Sequence, residues 1–279
     1  MSNPVFTQLE NGRWGQSAVQ TQPRPSYDQQ PYDPQMVQAE QMFHAPSADA
    51  IDRGRMTMDD VMMKTLASFA VLVAGGALGW WVTTTNPATG TALMTIGLIT
   101  GFILVLVNSF SKKVRPALIL AYALAEGLAL GTLSMVLDAV YPGIVVQALI
   151  GTGAVFGVTL ALFASNKVRN SSKLMRFTMI SMIGIVVWRV LDMILSLTGA
   201  LGQGLSGLTL AGIPLGVVVG LFAVLIGAAC LIQDFDVAKQ GVAQGAPKVF
   251  AWQCAFGLMV TVVWMYVEIL RLLSYFRQN

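Results

Sequence analysis

Histidine and cysteine are nearly missing from this 279-residue chain: His44 is the single histidine, and Cys230 and Cys254 are the only cysteines. A His-rich or Cys-rich metal site is excluded by that count. Ser-His-Asp and Cys-His catalysis are excluded too, because His44 lies in a polar tail. Charge is equally scarce. Asp, Glu, Lys and Arg make up 11% of the residues, against about 25% in a soluble domain. No basic start leads into a short apolar core, so no signal peptide is expected. Walker and dinucleotide-binding loops are absent as well.

What the chain does have is apolar length. The AVILMFWYC class reaches 55% and the mean hydropathy is +0.65, which points to a polytopic membrane protein. Seven apolar stretches stand out, at about 61–84, 91–110, 116–138, 144–164, 174–197, 208–236 and 249–275. Each is near or above the ~20 residues needed to cross the hydrocarbon core. Turn chemistry separates them: Asn86-Pro87, Arg115-Pro116, Tyr141-Pro142-Gly143, Asn166 with Asn170, the Gly-rich run 199–207, and Gly245-Ala246-Pro247. The expected fold is an all-α integral membrane protein of seven transmembrane helices over 56–279. A polar tail over 1–55, rich in Gln and Pro, precedes it and is expected to be disordered, because it offers too little apolar surface to offset ordering entropy. Thr57 with Asp60 forms a capping-box pattern that opens the first helix.

The charges are distributed unevenly. Residues 1–60 hold eight acidic side chains against four basic, and residues 61–279 hold six against thirteen. The basic residues sit between apolar stretches, so they report membrane topology rather than nucleic-acid binding. Lys112, Lys113 and Arg115, then Lys167, Arg169, Lys173 and Arg176, then Lys239 and Lys248 occupy alternate connections, and loops 85–90, 139–143 and 198–207 contain no Lys or Arg. The positive-inside rule then predicts a cytoplasmic N-terminus and an external C-terminus in a plasma (inner) membrane. Small residues recur inside the helices. Gly127 with Gly131 and Gly153 with Gly157 are GxxxG pairs, which are expected to let helix backbones approach closely.

Six carboxylates follow residue 60: Glu126, Asp138, Asp192, Asp234, Asp236 and Glu268. A charge at the bilayer centre costs at least ~2.5–3.5 kcal/mol on the insertion scale, so each needs a reason. Asp138 is expected at a solvated helix end. Glu126 lies about ten residues inside the third helix and is expected to face the bundle interior, protonated or paired. Arg189 and Asp192, three apart, share a face and form either a local ion pair or part of a polar path. Glu268 and Arg271 have the same spacing near the outer end of the last helix. Asp234 and Asp236 close the sixth helix and point to different faces, so one faces inward while the other meets water. Gly204-Leu205-Ser206-Gly207 has the GxSG form of rhomboid proteases, but the histidine that chemistry requires is absent. GxGD is absent too, and the last helix contains no Lys for retinal. No enzymatic activity is expected.

Three strings carry a family resemblance: Tyr122-Ala123-Leu124-Ala125-Glu126-Gly127-Leu128-Ala129-Leu130-Gly131, Leu231-Ile232-Gln233-Asp234-Phe235-Asp236, and Trp264-Met265-Tyr266-Val267-Glu268-Ile269-Leu270-Arg271-Leu272-Leu273. Together with the seven spans they resemble the Bax inhibitor-1 family, in a bacterial branch with a long polar tail. The resemblance implies a central seventh helix wrapped by the other six. It also implies a pH-sensitive leak of calcium or other cations, with the lipid bilayer, calcium and protons as partners and no cofactor beyond transient calcium. Two aspartates on helices 6 and 7 would share a proton and act as a latch. Asp234 matches the first, and Thr261 stands where the second belongs, so the second carboxyl is either lost or supplied by Glu126 or Glu268. A competing reading is a non-conducting membrane regulator that binds partner proteins in membrane proteolysis or stress response. A proton-coupled solute transporter is a third, but the sequence shows no inverted repeat to support it.

Overall fold

The computed structural model describes residues 54–111, 113–165, 170–199 and 204–278. Most of the polar tail lies outside them, as do Lys112, Asn166, Lys167 and Arg169 of the connections. Among the described residues seven helices form: α1 (Met58–Thr85), α2 (Pro87–Phe110), α3 (Pro116–Val140), α4 (Ile144–Ala164), α5 (Ser172–Thr198), α6 (Leu215–Ala243) and α7 (Phe250–Gln278). All seven are long and apolar enough to cross a membrane, and the protein is an all-α multi-pass membrane protein. The large apolar side chains left exposed on α1, α2, α4 and α5 are the surface that lipid covers.

Helix ends follow the local chemistry of the sequence. The Thr57 hydroxyl accepts from Asp60 N at 3.1 Å, and the Asp60 carboxylate accepts from Thr57 N at 3.3 Å, completing the capping box. Asn86 serves two helices: its N–H closes α1 on Val82 O, and its side chain accepts from Thr89 N at the start of α2. Pro87 and Pro116 occupy first-turn positions that need no N–H donor. Asp138 binds Gly143 N at 2.9 Å, bracing the turn into α4.

Two expectations are corrected. The stretch 208–236 is not helical from its start. Thr209–Leu210 pairs with Ile213–Pro214 as a short antiparallel hairpin, β1 and β2, around Ala211 and Gly212, both at positive φ, and α6 begins only at Leu215. At the other end α6 runs on to Ala243, so Asp234 and Asp236 lie inside the helix. Asp234 stands about 13 Å from the helix end at 1.5 Å per residue. Just before the capping box, residues 54–56 pair with the α6–α7 connection.

The tightest packing joins α1 to α3. A Cβ added at Gly75 would lie 2.8 Å from Leu124 O, and one at Gly127 or Gly131 would overlap the backbone of Leu72 or Gly76. These helices therefore meet backbone to backbone, as small residues permit in lipid. The Thr83 hydroxyl adds a 3.1 Å hydrogen bond to Thr132. The second GxxxG, Gly153 with Gly157 on α4, is a different matter: nothing lies within 4 Å of either added Cβ, so this pair packs no helix.

Burial is highest on α3 and α7. The main core joins them to α4 through Ile119, Tyr122, Leu130, Ile144, Met259 and Leu270. Tyr122 stacks edge-on against Phe256 with centroids 5.3 Å apart, and Ser134 Oγ meets the Tyr266 hydroxyl at 2.7 Å. α7 packs against α1, α3, α4 and α6, whereas α5 lies chiefly against α6. At one face Arg277 donates to Pro142 O at 2.9 Å, tying the end of α7 to the α3–α4 turn. At the opposite face residues 54–56 meet residues 246–248.

Candidate functional site

The α6–α7 seam carries a chemical sequence of its own. Spacings of four, four and three put Cys230, Asp234, Ala238 and Gly241 on one face of α6, and Phe250, Cys254, Gly257 and Thr261 answer them on α7. The Thr261 hydroxyl donates to Asp234 Oδ2 at 2.6 Å. Gly257 makes room for this contact, since a Cβ there would lie 3.1 Å from Asp234 Oδ1. The thiols of Cys230 and Cys254 are close enough to feel the Asp234 charge. The helix pair therefore holds a carboxylate against a hydroxyl, in a seam otherwise lined by small or apolar groups.

Neither proposed substitute carboxyl comes to Asp234. Glu268 is seven residues beyond Thr261, about 10 Å further along α7, and it has other partners. Its carboxylate is 3% exposed, pairs with the Arg189 guanidinium of α5, and lies 3.7 Å from Arg271 Nη1. Glu126 lies on α3 and faces α2, where a Cβ on Gly101 would stand 2.6 Å from its Oε2. Among the described residues Glu126 has no hydrogen bond or ion pair, and Tyr122 is the ionisable group in its electrostatic reach.

The expected Arg189–Asp192 ion pair does not form. Arg189 reaches across to Glu268, while both Asp192 oxygens are taken by Ser206, from its N–H at 2.9 Å and its hydroxyl at 2.6 Å. The reason lies in the hairpin connection, which folds back over the end of α5. Gly204 fits there because any Cβ would strike Ser196 Oγ and Asp192 Oδ1. Asp192 is thus the anchor of the loop, and the GxSG string is its capped end. Asp236 accepts from Gln240 at 2.6 Å and from Asn170 at 3.0 Å, linking α6 to the segment that enters α5. The α5–α6 contact also has a polar tie, Gln233 to the Thr178 hydroxyl at 2.5 Å.

A family model described as Bax inhibitor 1 like matches residues 3–278. The chain belongs to the Bax inhibitor family. No curated protein matches it. In this chain Asp234 faces the Thr261 hydroxyl across the α6–α7 seam rather than a second carboxyl. The difference has chemical content. A shared proton between two carboxyls exists only while one is ionised. A hydroxyl donates to an ionised Asp234 and accepts from a protonated one, so protonation reverses the contact and removes its charge assistance.

The seam offers a cation one carboxylate and one hydroxyl, against the six to eight oxygens calcium takes. Among the described residues no three His, Cys, Asp or Glu side chains gather as a metal cluster. A cation passing here would keep most of its water. The Cys254 thiol beside Asp234 and the ties at Gln233 and Asn170 escaped sequence reading, because each joins residues on different helices or segments, far apart in the chain. The helical spacing of Cys254 and Thr261 was the available signal for the first.

Proposed function

We propose that this protein is a pH-sensitive cation leak, with calcium as the ion, in a bacterial inner membrane, and that it is not an enzyme. Asp234 closes the path, held against Thr261. The observation that carries this reading is the 2.6 Å hydrogen bond between the two residues, made across the seam of two membrane-spanning helices. A carboxylate is expensive at that depth, and structural need alone is met more cheaply by an apolar contact. Asp234 is the charged group of the seam, with Cys230 and Cys254 as its ionisable neighbours, so its proton is the variable that pH changes. The alternate basic connections support a cytoplasmic N-terminus. In that orientation Asp234 lies toward the cytoplasmic side.

The test is calcium entry into proteoliposomes at two pH values, with wild type beside Asp234→Asn and protein-free vesicles as baseline. The reading expects wild-type flux above baseline that changes with pH, and a flattened response in Asp234→Asn. Flux equal to baseline at both values would overturn it and favour a non-conducting regulator.

A further inference from the structure

Residues 54–57 form a strap across the mouth of the same seam. Met56 N donates to Ala246 O at 2.8 Å, Lys248 N donates to Gly54 O at 3.0 Å, and Arg55 bridges to Pro247. The strap is therefore a short backbone ladder laid on the α6–α7 connection. Charges fasten it on one side: Asp60 lies 3.2 Å from Lys248 Nζ and 3.7 Å from Lys64 Nζ, and Lys64 also donates to Lys248 O at 2.8 Å. Gly245, at φ +65°, leaves space for the Arg55 side chain 3.1 Å from where a Cβ would be.

The strap carries one apolar side chain inward. Met56 is 1% exposed and packs against Ala238, Phe250, Ala251 and Cys254. Gly241 is its seat, since a Cβ there would stand 2.7 Å from Met56 Cε. A cavity of about 330 Å³ opens beside this seat, lined in part by Gly241 and Phe250, the same residues that hold Met56. Beneath Met56 comes Cys254, 4% exposed; one turn further along α7 comes Gly257 against Asp234, and a second turn brings Thr261, which holds Asp234. Ala238, Gly241, Phe250 and Cys254 belong to the two faces that also present Asp234 and Thr261. Met56 thus packs at the mouth of the seam, with Cys254 in its cluster and its seat shared with the cavity wall.

We infer that Met56, held by the 54–57 strap, is a stopper that closes the α6–α7 seam against water above Asp234, and that release of the strap opens the seam. The proposal rests on the reading of Asp234 as the group that closes the path. Its position also gives it a control input. Neutralisation of Asp60 or Lys248, which are paired at 3.2 Å, acts on the stopper without touching the membrane interior.

Cys254 reports the state of the seam independently of ion flux. The full chain, with Cys230→Ala, is placed in lipid nanodiscs and treated with a small, water-soluble methanethiosulfonate, and the rate of Cys254 modification is measured. Wild-type Met56 and the volume-conserving Met56→Leu should react slowly, whereas Met56→Ala should react about tenfold faster or more, because a buried thiol reacts through local opening. Lys248→Gln, a change at an exposed side chain, should give about a two- to fivefold increase by loosening the strap. Equal rates in all four proteins would overturn the stopper. Faster labelling of Met56→Ala and Lys248→Gln in a protein that passes no calcium would support the stopper and refute the leak. Calcium flux in wild type with unchanged labelling in both variants would refute the stopper and leave the leak standing.

Discussion

Glu268 is the most consequential single charge in the bundle. Its carboxylate is 3% exposed between Arg189, whose side chain is 19% exposed, and Arg271, which is 38% exposed. Glu268→Gln keeps shape and hydrogen-bonding atoms and removes the charge, leaving two guanidinium groups facing a neutral amide. Arg189 Nε already lacks a partner among the described residues, so nothing nearby takes up the loss. Breaking a fully buried pair costs about 3–5 kcal/mol. Arg271 is exposed enough for its long side chain to turn toward water, which reduces the expected cost to about 2–4 kcal/mol. At about 2–4 °C per kcal/mol for a chain of this size, the thermal midpoint in detergent should fall by about 5–15 °C. Adding Arg189→Gln removes one of the stranded charges and should recover about half of the fall. A midpoint within about 1 °C of wild type for Glu268→Gln would refute the reasoning, as would a double variant less stable than the single one.

Three further outcomes follow from the geometry. Gly131→Ala drives a methyl into the Gly76 backbone and should destabilise the bundle by about 1–3 kcal/mol, while Gly153→Ala, with open space around it, should stay within about 0.5 kcal/mol of wild type; comparable midpoints for the two would contradict the α1–α3 seam. In a cysteine-free background, an impermeant thiol reagent applied to intact cells should label Thr209→Cys in the hairpin and leave Lys113→Cys untouched, and the reverse pattern would invert the proposed topology. Thr261→Asp should steepen the pH response of flux, because two carboxyls this close hold one proton between them, and Thr261→Val should leave Asp234 without its hydroxyl partner and raise the leak at every pH; a Thr261→Asp profile that overlays wild type would count against the contact.

The seven spans were legible because apolar length is a local property, and so were the capping box at Thr57 and the breaks at Asn86-Pro87 and Arg115-Pro116, whose signals lie within four residues. Asp234 and Thr261 were singled out by their place in the family pattern. Their contact joins residues 27 positions apart in sequence, and the sequence held no record of the side-chain geometry. What failed depends on partners at long range. Arg189 and Asp192 share a helix face, yet each finds a better partner on another element. Gly153 and Gly157 have the spacing of a packing motif, but spacing does not tell whether a helix or lipid covers that face. The start of α6 was misjudged because Leu208, Leu210 and Ile213 extend the apolar run, and the positive φ at Ala211 and Gly212 overrides it. The strap was invisible for a similar reason: its ladder pairs residues 54–56 with residues 246–248.

The central claim is that the ionisation of Asp234 controls the path, and a comparison of two neighbouring acids tests it most directly. Calcium flux into proteoliposomes is measured across a pH series for wild type, Asp234→Asn and Asp236→Asn. Asp236 serves as the control because its Oδ2 accepts from Gln240 and Asn170, whereas Asp234 is held by Thr261. The account predicts a flat profile for Asp234→Asn and a near wild-type profile for Asp236→Asn. An Asp234→Asn protein that conducts with an unchanged pH profile would contradict it and make Asp234 a structural residue of the seam.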